Sequence, residues 1–405
     1  MRVGMAGIGF MGRLHSYAWR NASSLFGAEP VELVAVAGGP DDSQEAVRSF
    51  ARRWGWSTPV CRTEDLIDAH VDVIDVCTPN DSHELISVAA LRAGRHVLCE
   101  KPMSNSLGGA ERMAAAASVA AERGVHSSIG FVYRRIPAVA LAKELMDRGE
   151  LGDVLLVSAR FLQDVRLDPA RPGTWRSSKE VAGSGVIGDL GAHLVDLVAH
   201  LTGEMPTMSS TMTAPYPRRP TDAPLVPFSE TEDIAVSNGS LASGALVEMR
   251  MARVAVSRKV DLGIDVFGSR GRLSFELQRP GELVFVEESD GLQGVVDRTV
   301  LVTERTHPYQ ELWWEPGQPV GYGSAHIHQV GDFAAAIRAR RPPSPLPVQD
   351  HPLEDPLHAQ AVRERGCRRA PRADRRAAAR VRPWSALRTP AAGSGPPSWN
   401  PPRGA

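Results

Sequence analysis

The sequence predicts an α/β domain built on a parallel sheet, followed by an α+β domain with a large, mostly antiparallel open sheet. In residues 1–128, short apolar strands alternate with helices, a pattern typical of a parallel sheet with right-handed crossovers. Between residues 205 and 302 one strand follows another without an intervening helix, which indicates antiparallel pairing. The length of 405 residues exceeds what one hydrophobic core usually fills, so two domains, 1–128 and 129–345, are expected.

The first element is a strand at Arg2–Ala6, followed directly by the glycine-rich stretch Gly7-Ile8-Gly9-Phe10-Met11-Gly12 and by a helix that starts near Arg13. A G-x-G-x-x-G in this setting of strand, tight turn and helix predicts a Rossmann domain. Its glycines let the backbone approach a pyrophosphate, which the helix N-terminus then stabilises. The motif assigns dinucleotide binding to Gly7, Gly9, Phe10, Met11 and Gly12.

The second strand, Val31–Ala37, leaves the form of the dinucleotide open. An acidic residue at the end of this strand normally hydrogen-bonds the ribose 2′-hydroxyl of NAD. Here Gly38-Gly39-Pro40 stand at that place, and Asp41 and Asp42 follow a few residues later. Because residue 38 is a glycine, no carboxylate there repels the 2′-phosphate of NADP. No arginine stands at this position to bind that phosphate either. Both NAD and NADP remain candidates.

The fourth predicted strand ends at Glu100-Lys101-Pro102, after the apolar run that begins at His96. Proline cannot continue a strand, and it restricts the backbone of the residue before it. Lys101 is therefore held at the carboxyl end of a strand, the edge where ligands bind in open α/β sheets. The alternative is an ordinary surface lysine.

The other elements predicted for this domain are helices at about 43–54, 64–69, 84–93 and 107–123, and strands at 71–77 and 125–130.

In the second domain, Asp189 and His193 form a candidate catalytic pair. We predict a helix at Gly188–Leu201, where residues four apart share one face. A histidine accepts a proton near neutral pH, and a neighbouring carboxylate fixes its tautomer and raises its basicity. Alternatively, Asp189 caps the helix and His193 is a hydrogen-bonded core side chain. A zinc site is rejected because no third ligand lies at motif spacing and Lys101 would repel the cation, so no metal is expected.

Further helices and strands are predicted before and after the segment that carries Asp189 and His193. They are helices at 136–148 and 324–340 and strands at 154–163, 245–252, 259–267, 272–276 and 282–287.

Composition narrows the class of protein. Apolar residues make up 42%, aromatic residues 6% and charged residues 23%, with a formal net charge of −1, as in ordinary globular proteins. The sequence contains no run of eighteen apolar residues, so it predicts no membrane span. The N-terminus lacks the long apolar core of a signal peptide. We therefore expect a cytoplasmic protein. Its four cysteines show no metal-type spacing and are expected to be reduced thiols.

The end of the chain has a different composition. Residues 351–405 hold eleven arginines, no lysine, four acidic residues and nine prolines, so this part is basic and the remainder mildly acidic. We predict a disordered Pro/Arg/Ala-rich tail at 346–405, because such a composition buries too little apolar surface to fold alone. Contacts of a basic arm with nucleic acid would be unspecific. A shifted reading frame in GC-rich DNA would also produce the break near Val348–His351.

Taken together, these motifs resemble the Gfo/Idh/MocA family of oxidoreductases, which includes glucose–fructose oxidoreductase, inositol dehydrogenase and rhizopine-catabolism proteins. The resemblance covers residues 1–340. It is carried by the glycine-rich stretch with His15, by Cys77-Thr78-Pro79-Asn80 with His83, by Gly94–Pro102, by Tyr133-Arg134, and by Gly185 with Asp189-Leu190-Gly191-Ala192-His193. Two departures are Gly38, where an acid is usual, and the lack of a recognisable final helix past about residue 350.

The resemblance implies an NAD(P)-dependent dehydrogenase that transfers a hydride between a secondary alcohol of a sugar, anhydrosugar or cyclitol and nicotinamide. The hydroxyl proton would go to His193, assisted by Lys101, with Asp189 as the third catalytic residue. Further cofactor contacts would come from Thr78, Pro79, Asn80, His83, Glu100 and Lys101. A homo-oligomer is also implied. The alternative is a non-catalytic dinucleotide-binding sensor of the same fold, and the presence of all three catalytic residues favours the enzyme.

The stretches Arg160–Asp164 and Thr174–Arg176 are similar to a subgroup that contains levoglucosan dehydrogenase and some inositol and glycoside 3-dehydrogenases. This similarity implies substrate contacts from Tyr133, Gln163, Asp164, Trp175 and Arg176. Polar groups beside a tryptophan face suit a polyhydroxylated ring, which offers both hydroxyls and an apolar C–H side.

Overall fold

The structure is a computed structural model that describes residues 1–27, 30–216, 230–287 and 297–339. The strands of these residues form two sheets, one of six strands and one of eight. The predicted tail at 346–405 lies outside the described residues, as does the end of the second predicted domain at 345. The division of the chain into domains at residue 128 stays a prediction.

The first sheet is entirely parallel, with the strand order β3-β2-β1-β4-β5-β6. Its strands are β1 (Arg2–Ala6), β2 (Glu32–Ala37), β3 (Thr58–Val60), β4 (Val73–Val76), β5 (His96–Cys99) and β6 (Ser127–Ile129). Its helices are α1 (Phe10–Leu25), α2 (Gln44–Trp54), α3 (Thr63–Asp68), α4 (Asn80–Arg92) and α5 (Leu107–Ala121). The predicted Rossmann fold is confirmed, and the strand order reverses between β1 and β4, where such sheets bind ligands.

One strand of this sheet, β3, is not among the predicted elements. It has three residues and contains Pro59, which cannot donate to a ladder, so its sequence carries almost no strand signal. It pairs only with β2, at the edge of the sheet, where a proline is tolerated.

The second sheet is antiparallel except for one pair, β7 with β10, and its order is β14-β13-β12-β11-β7-β10-β9-β8. Its strands are β7 (Val154–Leu162), β8 (Thr207–Thr213), β9 (Ile234–Ser240), β10 (Leu246–Ala252), β11 (Asp261–Gly268), β12 (Gly271–Glu276), β13 (Glu282–Glu287) and β14 (Arg298–Leu301). The other helices are α6 (Pro137–Asp147), α7 (Lys179–Ala182), α8 (Ala192–Thr202) and α9 (Tyr322–Ala339). The predicted large, mostly antiparallel sheet is confirmed.

The two sheets are linked through the last described helix, α9. Its apolar residues Ile327, Val330 and Phe333 are buried in one cluster with Trp19 of α1. At Gly331 an added Cβ would lie 2.3 Å from the ring of Phe26, so α9 approaches the first sheet's helix layer very closely. The helix that ends the second half of the described chain therefore also completes the core of the first half.

The stretch Lys179–Thr202 is long and apolar enough to cross a membrane by length and composition alone. Of its apolar window, 72% is buried inside the protein. Its apolar side chains pack with α6 and the inner face of the second sheet, so this stretch has the environment of a core helix.

A buried ion pair joins the short 3₁₀ turn Val132–Arg135 to α8. The Nε atom of Arg134 donates to both carboxylate oxygens of Asp196, at 2.9 and 2.8 Å, and each side chain is 4% exposed. This turn carries Tyr133 and α8 carries His193, so the pair fixes the relative position of two predicted site residues.

We expect Arg134→Leu to lower the free energy of unfolding by about 3–5 kcal/mol, because it leaves the carboxylate of Asp196 buried without its partner. Arg148→Leu is the matched control, since Arg148 pairs with Glu144 on an exposed helix surface, and its loss should cost at most about 1 kcal/mol. Urea unfolding followed by circular dichroism measures both. Equal effects of the two substitutions would contradict the structural role of the buried pair.

Candidate active site

A cavity of about 820 Å³ lies between the carboxyl ends of the first sheet's strands and one end of the second sheet. It extends from the glycine-rich loop to the loop at 163–176 and the helical turn at 184–193. Most predicted site residues line it. They are Gly7, Gly9, Phe10, Met11, Thr78, Pro79, Asn80, Glu100, Lys101, Tyr133, Gln163, Trp175, Arg176, Asp189 and His193.

Three predicted residues do not line this cavity. Gly12 lies behind the loop, where an added Cβ would be 2.2 Å from the carbonyl oxygen of Gly7. The ring nitrogens of His83 are 2.8 Å from the carbonyl oxygen of Pro102 and 3.0 Å from that of Thr78, so His83 ties two cavity-lining segments together from behind. Asp164 is paired with Lys259 at 2.7 Å.

The glycine-rich loop fits a dinucleotide. Gly7 has a φ of 105°, and an added Cβ would lie 2.5 Å from the carbonyl oxygen of Cys77, so only glycine is tolerated there. An added Cβ at Gly9 meets nothing within 4 Å, which leaves open space in front of the loop. Helix α1 starts at Phe10 without a side-chain cap, so its first N–H groups are available to a pyrophosphate.

A buried network of charged groups lies beneath this loop. The Nδ1 atom of His15 is 2.9 Å from both carboxylate oxygens of Asp75, and its Nε2 atom is 3.1 Å from Oε1 of Glu100. The indole of Trp19 donates to Asp75 at 2.6 Å. Burial lowers the pKa of His15, but the charge and hydrogen bonding of Asp75, together with the neighbouring Cys77, outweigh burial and raise that pKa well above its ordinary value. Through its contact with Glu100, this network fixes the residue that directly precedes Lys101.

His15 and Asp75 also lie close to Cys77, with one ligand atom of each within 4.8 Å of the others. Both ring nitrogens of His15 face carboxylates, however, and burial raises the pKa of the Cys77 thiol, which disfavours a thiolate ligand. We interpret the group as a hydrogen-bonded network.

Lys101 and Asp189 meet inside the cavity. The ammonium of Lys101 donates to the carbonyl oxygen of Asp189 at 2.7 Å and to its Oδ1 atom at 3.2 Å. Arg176 and Arg253 place guanidinium nitrogens 3.7 and 3.9 Å from the same carboxylate. Burial raises the pKa of Asp189, but these three cations together hold it well below its usual range. Asp189 therefore remains a carboxylate.

His193 lies next to this cluster, on the first turn of α8, and is 7% exposed. Its ring centroid is 4.7 Å from that of Tyr133 and 5.9 Å from that of Phe161. Burial and the nearby charge of Lys101 lower the pKa of His193 well below 6.5. At neutral pH its imidazole is uncharged and able to accept a proton.

The helix that carries Asp189 differs from the prediction. Its first turn, Ile187–Gly191, is a π-helix, and the α-helix begins only at Ala192. The carboxylate of Glu232 accepts hydrogen bonds from the N–H groups of Gly185 and Ile187, at 2.8 and 3.0 Å. An added Cβ at Gly185 would lie 2.1 Å from the carbonyl oxygen of Glu232. Contacts from a distant segment thus shape this turn, and π turns are frequent at functional sites.

The predicted partnership of Asp189 and His193 also needs correction. Among the described residues, the hydrogen bonds of the Asp189 side chain lead to Lys101 and not to His193. The alternative of a capping aspartate fails as well, because Glu232 caps the turn. Asp189 acts on the lysine, and it reaches the histidine only through its charge.

Arg253 and Tyr322 belong to this site and were not predicted from the sequence. Arg253 follows β10 directly, is 2% exposed and shares Asp233 with Arg166. The available signal was an arginine placed directly after β10, a strand whose apolar and polar residues alternate. Tyr322, at the start of α9, lines the cavity with its ring centroid 6.1 Å from that of Tyr133, and no local pattern marks it.

Comparison with known proteins agrees with this geometry. The family model described as "Oxidoreductase family, NAD-binding Rossmann fold" matches residues 1–130, and "GFO/IDH/MocA C-terminal domain" matches residues 139–274. Levoglucosan dehydrogenase of Pseudarthrobacter phenanthrenivorans is 33% identical, over 83% of this chain and 89% of its own length. Glucose-6-phosphate 3-dehydrogenase of Bacillus subtilis is 29% identical, over 77% of this chain and 83% of its own length.

Solved structures give the same result. Levoglucosan dehydrogenase in complex with NADH and levoglucosan has a TM-score of 0.82 and 30% identity, covering 89% of this chain and 97% of that one. An oxidoreductase domain protein from Kribbella flavida has a TM-score of 0.82 and 40% identity, covering 89% and 94%.

The network around His15 predicts a pH-dependent effect of His15→Gln on stability. Because the pKa of His15 is raised above 6.5 in the folded chain, its charged form stabilises the fold fully below about pH 6.5. That contribution is lost as the pH rises through the raised folded-state pKa. The loss of unfolding free energy in His15→Gln, from urea titrations at several pH values, should be largest below about pH 6.5 and shrink above it.

His70→Gln, at an exposed histidine, is the control and should show a small effect at every pH. A loss in His15→Gln that stays constant or grows with rising pH would contradict the charge assigned to His15.

Proposed function

The chain belongs to the Gfo/Idh/MocA family of NAD-binding oxidoreductases, and we propose that it oxidises a secondary alcohol of a sugar, anhydrosugar or cyclitol. One observation carries this proposal. An ammonium group at the end of β5 and an uncharged imidazole on α8 line the same cavity as the glycine-rich loop. A dinucleotide held by that loop and a polyol held beside Asp189 would share this space.

The dinucleotide, when bound, supplies a nicotinamide ring that accepts the hydride from the substrate carbon. His193 takes the hydroxyl proton on a ring nitrogen, since its lowered pKa keeps it unprotonated at neutral pH. Lys101 donates a hydrogen bond to the substrate oxygen and stabilises negative charge that develops there. Asp189 holds the ammonium of Lys101 in place.

Other lining residues suit a polyhydroxylated ring. Gln163 offers an amide to hydroxyls, and Trp175 offers an apolar face to C–H groups. The guanidinium of Arg176 lies 4.2 Å from the centroid of the Trp175 ring, which restricts the motion of both side chains. Tyr133 packs against His193 and contributes a further hydroxyl. Asp164 would need to leave Lys259 before it could contact substrate.

We also propose a homo-oligomer formed through the open face of the second sheet. Leu156, Leu246 and Val236 lie on the same face of neighbouring strands and are 37%, 61% and 42% exposed. Leu156 and Leu246 are directly paired, and Val236 lies opposite Arg250, four residues further along β10. Exposed apolar side chains on one face of a sheet favour burial against a second copy. Size-exclusion chromatography with light scattering tests this proposal.

We expect Lys101→Met to lower turnover strongly and to retain NADH binding. With the best substrate from a panel of inositols, hexoses and levoglucosan, kcat/KM should fall by about 10²–10⁴-fold, because the developing oxyanion loses its cation. The absorbance of reduced nicotinamide measures the rate, and quenching of tryptophan fluorescence measures NADH binding. Lys143→Met, which removes an ammonium paired with Asp147 on α6, should leave both unchanged.

Two results would contradict the proposal. Wild-type turnover by Lys101→Met would remove the role of the lysine. Absence of turnover with every polyol in the panel, for a protein that binds NADH, would remove the substrate class.

The lowered pKa of His193 predicts the shape of the pH profile. In the oxidation direction, the acidic limb of kcat/KM should lie below pH 6.5, where the imidazole becomes protonated. The residual activity of Lys101→Met should show this limb at higher pH, because the pKa of His193 rises when the neighbouring cation is removed. An acidic limb that does not move would show that the group titrating in the profile is not His193.

A further inference from the structure

We propose that Asp42 is the carboxylate that binds the adenosine ribose and makes the protein select NAD over NADP. This inference rests on the dinucleotide-binding part of the proposed function and is independent of the substrate. The sequence places a glycine, Gly38, where an acidic residue is usual, and Asp42 four positions further on. The structure brings that later carboxylate back to the end of the strand.

The end of β2 is the place where a Rossmann sheet binds the adenosine ribose. In this protein it adjoins the glycine-rich loop, because the N–H of Gly7 donates to the carbonyl oxygen of Ala37 at 2.8 Å. Gly39, Pro40, Asp41 and Asp42 line the same cavity as Gly7 and Gly9. A dinucleotide whose pyrophosphate lies on the loop would therefore have its ribose beside residues 39–42.

The position of Asp42 coincides with the space of the missing side chain. A Cβ added at Gly38 would lie 2.7 Å from Cβ of Asp42 and 3.0 Å from its Oδ2 atom. The first distance is shorter than real Cβ contacts and the second is tighter than most of them, so residue 38 and Asp42 cannot both hold a side chain in this arrangement. Cγ2 of Val47, 2.8 Å from the added Cβ, crowds the same space. Asp42 fills the volume that an acidic residue 38 would use.

A tight turn fixes this carboxylate. The N–H of Asp42 donates to the carbonyl oxygen of Gly39 at 3.1 Å, and the N–H of Gly39 donates to Oδ2 of Asp42 at 2.7 Å. Ser43 caps α2 directly afterwards, with its hydroxyl accepting from the N–H of Ala46. Among the described residues no hydrogen bond to Oδ1 of Asp42 is found, so this oxygen is available to a ribose hydroxyl.

The charges around the cavity favour NAD. A carboxylate accepts hydrogen bonds from the 2′- and 3′-hydroxyls of NAD and repels the 2′-phosphate of NADP. The described cations that line the cavity belong to Lys101 and to the arginines beyond residue 160, which are Arg166, Arg171, Arg176 and Arg253. None of these cations lies on the segment 38–42 that would face a 2′-phosphate.

Equilibrium binding of NADH and NADPH to the purified full chain tests the proposal without requiring any substrate. Titrations followed by nicotinamide fluorescence should give the wild type at least a tenfold preference for NADH. Asp42→Asn should weaken NADH binding by roughly tenfold, the effect of losing a charged hydrogen bond, and should bring the two affinities close together.

Two further variants complete the experiment. Asp68→Asn, at an exposed carboxylate on α3 that does not line the cavity, should retain the preference. Gly38→Asp combined with Asp42→Gly and Val47→Ala, which remove the side-chain atoms closest to the new Cβ, moves the carboxylate back to the strand and should restore NADH preference. Thermal melting confirms that each variant is folded.

The proposal is overturned if the wild type binds NADPH as tightly as NADH, or if Asp42→Asn retains the preference. A protein that prefers NADH in these titrations but oxidises no polyol would support the role of Asp42 and refute the proposed substrate class.

Discussion

The contact between Lys101 and Asp189 connects the two halves of this protein at the point where both serve the cavity. The lysine follows β5 of the parallel sheet, and the aspartate lies 88 residues later on the turn that leads into α8. The ammonium bonds both the side chain and the carbonyl oxygen of Asp189, so it fixes the backbone of that turn as well as its charge. Both residues line the cavity.

Each side of the contact has its own support. On the first side, Glu100 is held by His15, and Gly130 leaves room for it, since an added Cβ there would lie 2.5 Å from Oε1 of Glu100. On the second side, Glu232 caps the turn that carries Asp189. These supports use buried charges that are costly unless paired, so the surrounding structure must form completely for the site to exist.

Electrostatics then separates the roles of the titratable groups. Three cations keep Asp189 ionised, and burial together with one of those cations keeps His193 neutral. A fixed carboxylate, a lysine bonded to it and an uncharged imidazole in one cavity suit an NAD(P)-dependent dehydrogenase, which must stabilise an oxyanion and remove a proton. The relatives of the chain are dehydrogenases of sugars and cyclitols, which agrees with this chemistry.

The sequence by itself determined the features that depend on neighbouring residues. The glycine-rich loop, the lysine before a proline at a strand end and the alternation of helices and strands are all local patterns. They identified the fold, and most of the site residues predicted from the sequence line the cavity. The tertiary structure alone decided the π turn at Ile187–Gly191, the placement of Arg253 and Tyr322, and the return of Asp42 to the space beside Gly38. Those features depend on contacts between segments far apart in the chain, or on the path of a turn, and neither leaves a periodic signal in the order of the residues.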